Sequence, residues 1–379
     1  MGNSAGSGFE VLDRIDYPDK HWVVNKGVRK EGDKDAVTLF SFQKKGSQNT
    51  SIASNCIKRM KTLRHPFILS YIESAETEES FALVTESCEP LEVWLKSKNI
   101  LITKGINGSG SSNSVSTTTT AAADSEDNAL ILEILWGIRG IIDALQFLHN
   151  NQLAHNYLGL HAIFVAKSGD WKLGALDLVA NLSNEDDFNL IKMYGQLLER
   201  PYLPPEKQQV GRGSSKDFAA LTTTEQGKSS QSQRAVGSEG DIFALTHCIQ
   251  AAFNKIGNGN NNSPSGLEVP NSLTKYFARM LSVDPKKRPS AAQLLKVPVF
   301  NSSDIKLLLS LGELAALKPA KESLDVLEQL ADRVTTLPKP ICEHKILPRL
   351  GDALQMASND FVNRDARESC RQTIQLWLI

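Results

Sequence analysis

The sequence lacks the features that several classes of protein require. Its five cysteines lie far apart and form no C-x-x-C pair, which excludes a zinc ribbon or a disulfide framework and favours a reducing cytoplasm. No stretch reaches the roughly 18 continuous apolar residues of a membrane helix. The net charge of -1 predicts no general attraction to DNA, RNA or anionic membranes. We therefore expect a cytoplasmic globular protein without a metal site or a transmembrane segment.

The remaining pattern divides into a strand-rich first part and a helical second part. Residues 36–40 and 81–85 are rich in β-branched and aromatic side chains, which predicts strands, and residues 52–63 between them predict a helix. From residue 129 apolar residues recur at helical spacing on one broad face. This order predicts an α+β domain of two lobes over residues 8–300.

Three segments of that domain are too polar to contribute to a core. They are rich in Gly, Ser, Thr, Asn or Gln, which predicts disordered inserts on the surface. The predicted inserts are residues 105–128, 211–237 and 254–266.

The pattern changes again after residue 303, where successive amphipathic helices are separated by short breaks. We predict an all-α region of HEAT-like helical repeats over residues 304–379, with a simple helical extension of the preceding domain as the alternative. The sequence ends on an apolar run, residues 376–379. We expect this run to continue into further repeats or to dock on another surface.

Residues 148–177 have the frame of a protein-kinase active site without its charged residues. Kinases carry H-R-D-L-x-x-x-N and then D-F-G, whereas this chain reads H-N-Y-L-G-L-H-A from His155 and G-A-L-D from Gly174. Residues 17–23, where a phosphate-binding loop belongs, contain no glycine. Six positions that carry functional residues in kinases hold other residues here. Phe40 replaces the strand Lys, Cys56 the helix Glu and Tyr157 the Asp that accepts the proton. Gly159 replaces the catalytic-loop Lys, Ala162 the metal-binding Asn and Ala175 the metal-binding Asp.

These changes remove the charges that phosphoryl transfer requires. The missing base alone costs on the order of 10²–10⁴ in rate. We therefore expect no catalysis, no cofactor, and weak or absent binding of ATP and magnesium. An ATP-dependent kinase with relocated residues remains an alternative, in which Lys26, Lys30 or Lys34 contacts phosphate and Asp170 or Asp177 holds the metal.

Other kinase positions are retained, and these are structural. His155 is predicted to pack the catalytic loop, and Asp241 begins the segment that resembles the central helix of the second lobe. Glu206 matches the last residue of A-P-E, and Arg288 matches the arginine that pairs with it in kinases. We expect a buried Glu206–Arg288 pair that braces the lobe.

Together these motifs resemble the SCY-like pseudokinases, also called N-terminal kinase-like proteins. The resemblance is carried by residues 58–66, 83–86, 153–156, 162–165, 171–177 and 344–348. It implies a catalytically inactive kinase-like domain followed by HEAT repeats. It also implies a scaffold in Golgi and endosome membrane traffic with protein partners, vesicle-coat components among them, and peripheral attachment to those membranes.

Two further hypotheses stay open at this point. Some members of the resembled family are linked to tRNA export, although no basic stripe with interleaved aromatic residues supports RNA binding here. N-myristoylation at Gly2 is the second, since Gly6 stands where the M-G-x-x-x-[ST] motif has Ser or Thr.

Overall fold

The structure is a computed structural model, and it describes residues 8–18, 21–32, 34–98, 119–181, 183–208, 237–256, 267–313, 330, 337, 341–348 and 350. The chain forms two compact units. One contains Met1–Ser109 and Gly137–Leu295, and the other contains Gly110–Trp136 and Lys296–Ile379.

The first unit begins with a five-stranded antiparallel sheet in the order β1-β2-β3-β5-β4. The strands are β1 Phe9–Arg14, β2 Val23–Arg29, β3 Ala36–Gln43, β4 Tyr71–Glu76 and β5 Ser80–Glu86. Strands β3 and β5 lie inside the sheet and are buried on both faces. Val37, Leu39 and Val84 pack with Phe9 on one face, so Phe40 points to the opposite face.

Helix α1, Thr50–Thr62, connects β3 to β4. Its buried residues recur at helical spacing: Ile52, Ala53, Cys56, Ile57 and Met60. The helix ends at Thr62, and Leu63 after it has extended backbone, two residues before His65-Pro66.

The rest of the described chain is mainly helical around a small second sheet. That sheet contains β6 Cys88–Pro90, β7 Ile163–Ala166 and β8 Trp171–Leu173. The helices are α2 (residues 91–98), α3 Thr119–Asn150, α4 Glu185–Tyr194, α5 Pro205–Gln208, α6 Ser238–Lys255, α7 Asn271–Met280, α8 Ala291–Leu294 and α9 Ser303–Glu313. Short 3-10 turns lie at Leu160–Ala162, Leu176–Leu178, Gly195–Leu197, Pro285–Lys287 and Pro298–Asn301, and a π-helical turn lies at Cys342–Ile346.

The predicted division into a strand-rich lobe and a helical part is confirmed, and two helices extend into segments that were predicted as polar inserts. Helix α3 begins at Thr119, inside the predicted insert 105–128, because Ala121–Ala123 favour helix more than any other residue type. Helix α6 runs to Lys255, inside the predicted insert 254–266. Of the predicted insert 211–237, all but Gly237 lies outside the described residues.

The predicted repeat region is described only in part. Its first helix is α9, in which Leu307, Leu308 and Leu311 are buried. Most of the later helices predicted up to residue 379 lie outside the described residues. In the part of the chain that the structure describes, no helix has the length and hydropathy to cross a membrane.

Gly137 on α3 allows the close approach of a large side chain. A Cβ at this position would lie 2.1 Å from Cδ2 of Trp171, a fully buried residue of β8. Gly195 is a suitable control, because a Cβ there would meet only Ile191 Cγ2 at 3.6 Å.

We predict that Gly137→Ala lowers the free energy of unfolding by about 1–3 kcal/mol, because overpacking outweighs the gain in helix propensity. Gly195→Ala is expected to be neutral or stabilising. Chemical denaturation of both variants measures the difference. Equal stability of the two would show that the contact between α3 and Trp171 is loose.

Candidate functional site

The candidate site is the cleft between the five-stranded sheet and the helical part of the first unit. It is bordered by the chain between β1 and β2, by β3 and α1, and by the two segments that correspond to the kinase catalytic loop and D-F-G. In a kinase this cleft holds the nucleotide phosphates and the metal.

Four aromatic side chains fill this cleft: Tyr17, Trp22, Phe40 and Phe164, here called the aromatic plug. The rings of Phe40 and Phe164 lie 5.6 Å apart at 76°, and those of Tyr17 and Phe164 lie 5.6 Å apart at 31°. Trp22 meets the edge of Phe40 with a centroid distance of 6.4 Å. Such edge-to-face pairs contribute about 0.5–1.5 kcal/mol beyond area burial.

The plug leaves almost no free volume. The remaining cavity is about 20 Å³, whereas sites for small organic ligands are roughly 300–1,000 Å³. Besides the plug, it is lined by Cys56, Met60, Leu69, Leu83, Ala175 and Asp177. The phosphates of a nucleotide therefore have no room in this part of the cleft unless the plug moves.

Hydrogen bonds tie the plug to the far side of the cleft. The Tyr17 hydroxyl donates to the carbonyl oxygen of His161 at 3.1 Å. The Trp22 indole Nε1 donates to Asp177 Oδ1 at 2.9 Å, and Asp177 is buried. The chain that replaces the phosphate-binding loop is thus fastened across the cleft.

Strand β6, which follows β5 in the chain, is hydrogen-bonded to β3 through Cys88. The Thr38 hydroxyl on β3 donates to the Cys88 carbonyl at 3.0 Å and accepts from the Cys88 amide at 2.9 Å. Burial raises the pKa of the Cys88 thiol to about 12, so the thiol is neutral. The backbone amide and the backbone carbonyl of Cys88 therefore both have a hydrogen-bond partner on β3.

Tyr157, at the position of the kinase acceptor Asp, lies in an apolar core. It is 5% exposed and its ring centroid lies 4.5 Å from that of His161. The surrounding buried residues are Ile52, Leu178, Ala180, Ile191, Leu198 and Leu203. Most of these belong to the segment after residue 176, which therefore covers the place where a substrate hydroxyl would be deprotonated.

The small residues at the other degenerate positions have neighbours that fill the lost space. A Cβ at Gly159 would lie 2.8 Å from the His161 ring and 3.3 Å from Tyr202, which leaves no room for a lysine. Ala162 is fully buried. Ala175 keeps a left-handed backbone, φ 47° and ψ 53°, a conformation that costs an alanine roughly 1–2 kcal/mol.

Helix α1 is fastened without the usual ion pair. Cys56 faces the remaining cavity, opposite Phe40. Asn55 Nδ2 instead donates to the Asp177 carbonyl at 2.9 Å, and Arg59 Nε donates to the Val179 carbonyl at 3.0 Å. Arg59 also pairs with Asp187 on α4 at 2.5 Å. The sequence did not indicate these roles of Asn55 and Arg59, because most residues of α1 are polar and nothing local distinguishes these two.

Asp241 at the start of α6 organises the loop that corresponds to the catalytic loop. Its carboxylate accepts from the His155 amide at 2.8 Å, the Asn156 amide at 2.9 Å and His149 Nε2 at 2.9 Å. Burial raises the pKa of Asp241, but the hydrogen bond from His149 and the nearby charges of His149 and Lys207 outweigh it. The pKa of Asp241 is therefore below its usual value.

His155 packs this loop as a neutral side chain. Its Nε2 donates to the Gly174 carbonyl at 3.0 Å, and its Nδ1 accepts from the Tyr157 amide at 3.3 Å. Burial lowers the pKa of His155, which agrees with this neutral form. His155 thus connects the catalytic-loop segment to the segment that replaces D-F-G.

Asn156 stands where kinases have the arginine of H-R-D. It has φ 59°, a left-handed conformation that Asn tolerates better than most residues. Its Nδ2 donates to the carbonyl oxygens of Ala154 at 3.0 Å and Leu178 at 3.2 Å, and its Oδ1 accepts from Lys207 Nζ at 2.8 Å. Burial lowers the pKa of Lys207.

Glu206 and Arg288 form a bidentate ion pair, with both contacts at 2.7 Å. Arg288 is buried and also donates to the carbonyl oxygens of Ser282 at 2.9 Å and Glu239 at 3.0 Å. The pair therefore joins α5, α6 and the turn after α7. Its role is structural.

The residues proposed for a relocated kinase site do not converge in the cleft. Asp170 lies at the β7–β8 turn and accepts from Ser168 Oγ at 2.7 Å, whereas Asp177 binds Trp22. Lys26 is on β2, and Lys30 and Lys34 follow that strand. Among the described residues, no group of three or more His, Cys, Asp or Glu is arranged to hold a metal.

The asparagine variant of Asp241 tests the loop anchor. We predict that Asp241→Asn lowers the free energy of unfolding by about 2–4 kcal/mol near neutral pH, because buried donors lose their acceptor. Because the pKa of Asp241 is lower in the folded than in the unfolded chain, its ionised carboxylate stabilises the fold at pH values above the unfolded-state pKa of about 4. This stabilisation is lost as the pH falls through the folded-state pKa. The difference from wild type should therefore shrink below about pH 4.

Denaturant titrations at several pH values measure this difference, with Asp16→Asn as the exposed control. Asp16 pairs with Lys96 at 3.3 Å on the surface, so its variant should change stability by less than about 1 kcal/mol. A constant difference between Asp241→Asn and wild type across the whole pH range would contradict the electrostatic role of Asp241.

Comparison with known proteins agrees with this geometry. The protein kinase domain family matches residues 21–300. The chain is 25% identical to the probable inactive serine/threonine-protein kinase scy1 of Dictyostelium discoideum over 88% of this chain and 35% of that protein. It is 25% identical over 82% of its length to the mouse protein-associating with the carboxyl-terminal domain of ezrin, and 24% identical over 96% to human SCY1-like protein 2.

The chain spans only about a third to two fifths of these relatives, 35% of the first two and 39% of the third. The match to the protein kinase domain family begins just before β2 and ends after α8, so β1 lies outside it. The chain belongs to the protein kinase domain family and, within it, to the SCY-like kinase-like proteins.

Proposed function

We propose that this chain is a catalytically inactive kinase-like scaffold. The observation that carries the proposal is the aromatic plug, which occupies the cleft and leaves a cavity of about 20 Å³. A bound nucleotide would need this space, a phosphate-binding cation and metal ligands. Phe40, Ala162 and Ala175 stand at those positions. No cofactor is therefore assigned to the chain.

The scaffold role extends to protein partners. One relative is named for its association with the carboxyl-terminal domain of ezrin, which supports protein binding as a function in this group. HEAT-like repeats over residues 304–379 would add the extended surface that such repeats use for binding. From the family resemblance, we propose vesicle-coat components as partners and a peripheral position on Golgi or endosomal membranes.

Two other functions receive less support. A kinase with relocated residues requires a base and a metal site, and the candidate acids Asp170 and Asp177 are engaged by Ser168 and Trp22. A tRNA-export adaptor requires a basic, aromatic surface for RNA. Neither has an observation that favours it over the scaffold.

A radiometric assay with Mg-ATP tests the proposed inactivity. We predict no transfer by the purified chain, and none by a variant with Phe40→Lys, Tyr157→Asp, Ala162→Asn and Ala175→Asp. The restored charges still lack space, because Tyr17, Trp22 and Phe164 remain in the cleft. The control is an active kinase treated identically. Transfer that survives purification and is lost on Asp170→Asn or Asp177→Asn would establish the relocated kinase instead.

Crosslinking followed by mass spectrometry of the natural protein tests the scaffold role. We expect coat components to be captured equally by wild type and by the Lys26→Gln, Lys30→Gln, Lys34→Gln variant, since a scaffold needs no phosphate contacts. Capture that depends on ATP would contradict the scaffold role. Capture that is abolished by ribonuclease would favour the RNA adaptor.

A further inference from the structure

One exposed surface of the first unit concentrates positive charge, and the kinase frame does not account for it. Its residues are Lys275 and Arg279 on α7, Lys286 and Lys287 on the following 3-10 turn, and Val283 between them, here called the basic ridge. All five are exposed. Val283 is 74% exposed, the highest value among the exposed large hydrophobic residues of the described chain.

The two cation pairs lie on consecutive elements of the chain. Helix α7 ends at Met280, and the Ser282 amide donates to the Arg279 carbonyl at 3.2 Å. Asp284 then caps the next turn, with its Oδ1 accepting from the Lys286 amide at 3.0 Å. Only four residues, 281–284, separate the end of the helix from this turn, and the exposed Val283 is one of them.

Buried contacts hold the ridge in place from below. Arg288 directly follows the turn and donates to the Ser282 carbonyl at 2.9 Å, while its guanidinium binds Glu206. Leu273 and Met280 anchor α7 from its buried face. These contacts fix the backbone that carries the four cations.

The ridge carries unbalanced charge. None of its four cations forms an ion pair with a carboxylate that the structure describes, whereas Arg59 on α1 pairs with Asp187. Asp284 is the one acidic residue between Lys275 and Lys287, and it caps a backbone amide. The local excess is positive although the whole chain has a net charge of -1.

We infer that the basic ridge binds an anionic lipid bilayer, with Val283 inserted among the headgroups. Cations around a protruding aliphatic residue match a surface with negative headgroups above an apolar interior. An acidic peptide would need a groove, and the two described cavities of about 400 Å³ are lined by other residues. This inference rests on the peripheral membrane position in the proposed function, and it identifies the surface of the chain that contacts the membrane.

Flotation of the unacylated full chain with vesicles tests the ridge. The vesicles are phosphatidylcholine with or without about 30% phosphatidylserine. Each cation near an anionic surface increases binding roughly fivefold. Reversal of the four ridge cations to Glu should therefore lower binding to the anionic vesicles more than tenfold. Val283→Ser should lower it roughly threefold while keeping the charge.

A matched variant reverses four exposed cations elsewhere, Lys34, Lys45, Lys58 and Lys61, and should retain most binding. Equal losses in both reversed variants, unchanged binding of the ridge variant, or equal binding to neutral vesicles would overturn the inference. Ridge-dependent binding of polyglutamate or tRNA without binding of vesicles would also overturn it. Loss of vesicle binding with partner capture intact leaves the scaffold proposal standing, so the two can fail separately.

Discussion

The packing of Phe40 against Phe164 closes the space between the two lobes, and the other unusual residues of the cleft depend on it. A buried lysine at position 40 would need a negative partner, either nucleotide phosphates or a carboxylate on α1. Cys56, at the position of that carboxylate, carries no negative charge. Removing one partner of a buried ion pair is costly, whereas replacing both with apolar groups can be nearly neutral. Phe40, Cys56 and Ala175 therefore form one consistent apolar arrangement around the small remaining cavity. Tyr17 and Trp22 complete it from the chain between β1 and β2.

The second lobe keeps the kinase contacts that satisfy buried polar groups. Asp241 accepts the two amides of the catalytic-loop segment, and Arg288 is neutralised by Glu206. These contacts serve the backbone, so they persist without catalysis. The same bracing supports the turn that presents the basic ridge. The fold thus separates a closed cleft from a rigid outer surface, which is an arrangement suited to binding other molecules.

Motifs and periodicity predicted the parts of the structure that depend on local sequence. The strands at residues 36–40 and 81–85, the helix after β3 and the apolar face of α3 follow from patterns within about ten residues. Positions such as Phe40 and Tyr157 could be assigned because the kinase motifs fix their spacing. The start of α3 was missed because the alanine run follows a polar segment of no clear period.

The plug itself could not be read from the sequence. Tyr17 meets His161 across 144 residues, and Trp22 meets Asp177 across 155. The sequence around Tyr17 and Trp22 contains no pattern that predicts a contact across the cleft. Phe164 has the pattern of an ordinary apolar residue in a buried strand. The loss of charged residues predicted an inactive cleft, whereas only the tertiary contacts reveal a filled one.

Calorimetric titration of nucleotide into two forms of the chain tests the filled cleft most directly. The forms are wild type and a plug-opened variant with Tyr17→Ala and Phe164→Leu, each with and without magnesium. The account predicts no binding of ATP by wild type up to about 1 mM, and weak, magnesium-independent binding by the opened variant. Magnesium-dependent binding of ATP by wild type at lower concentration would contradict it.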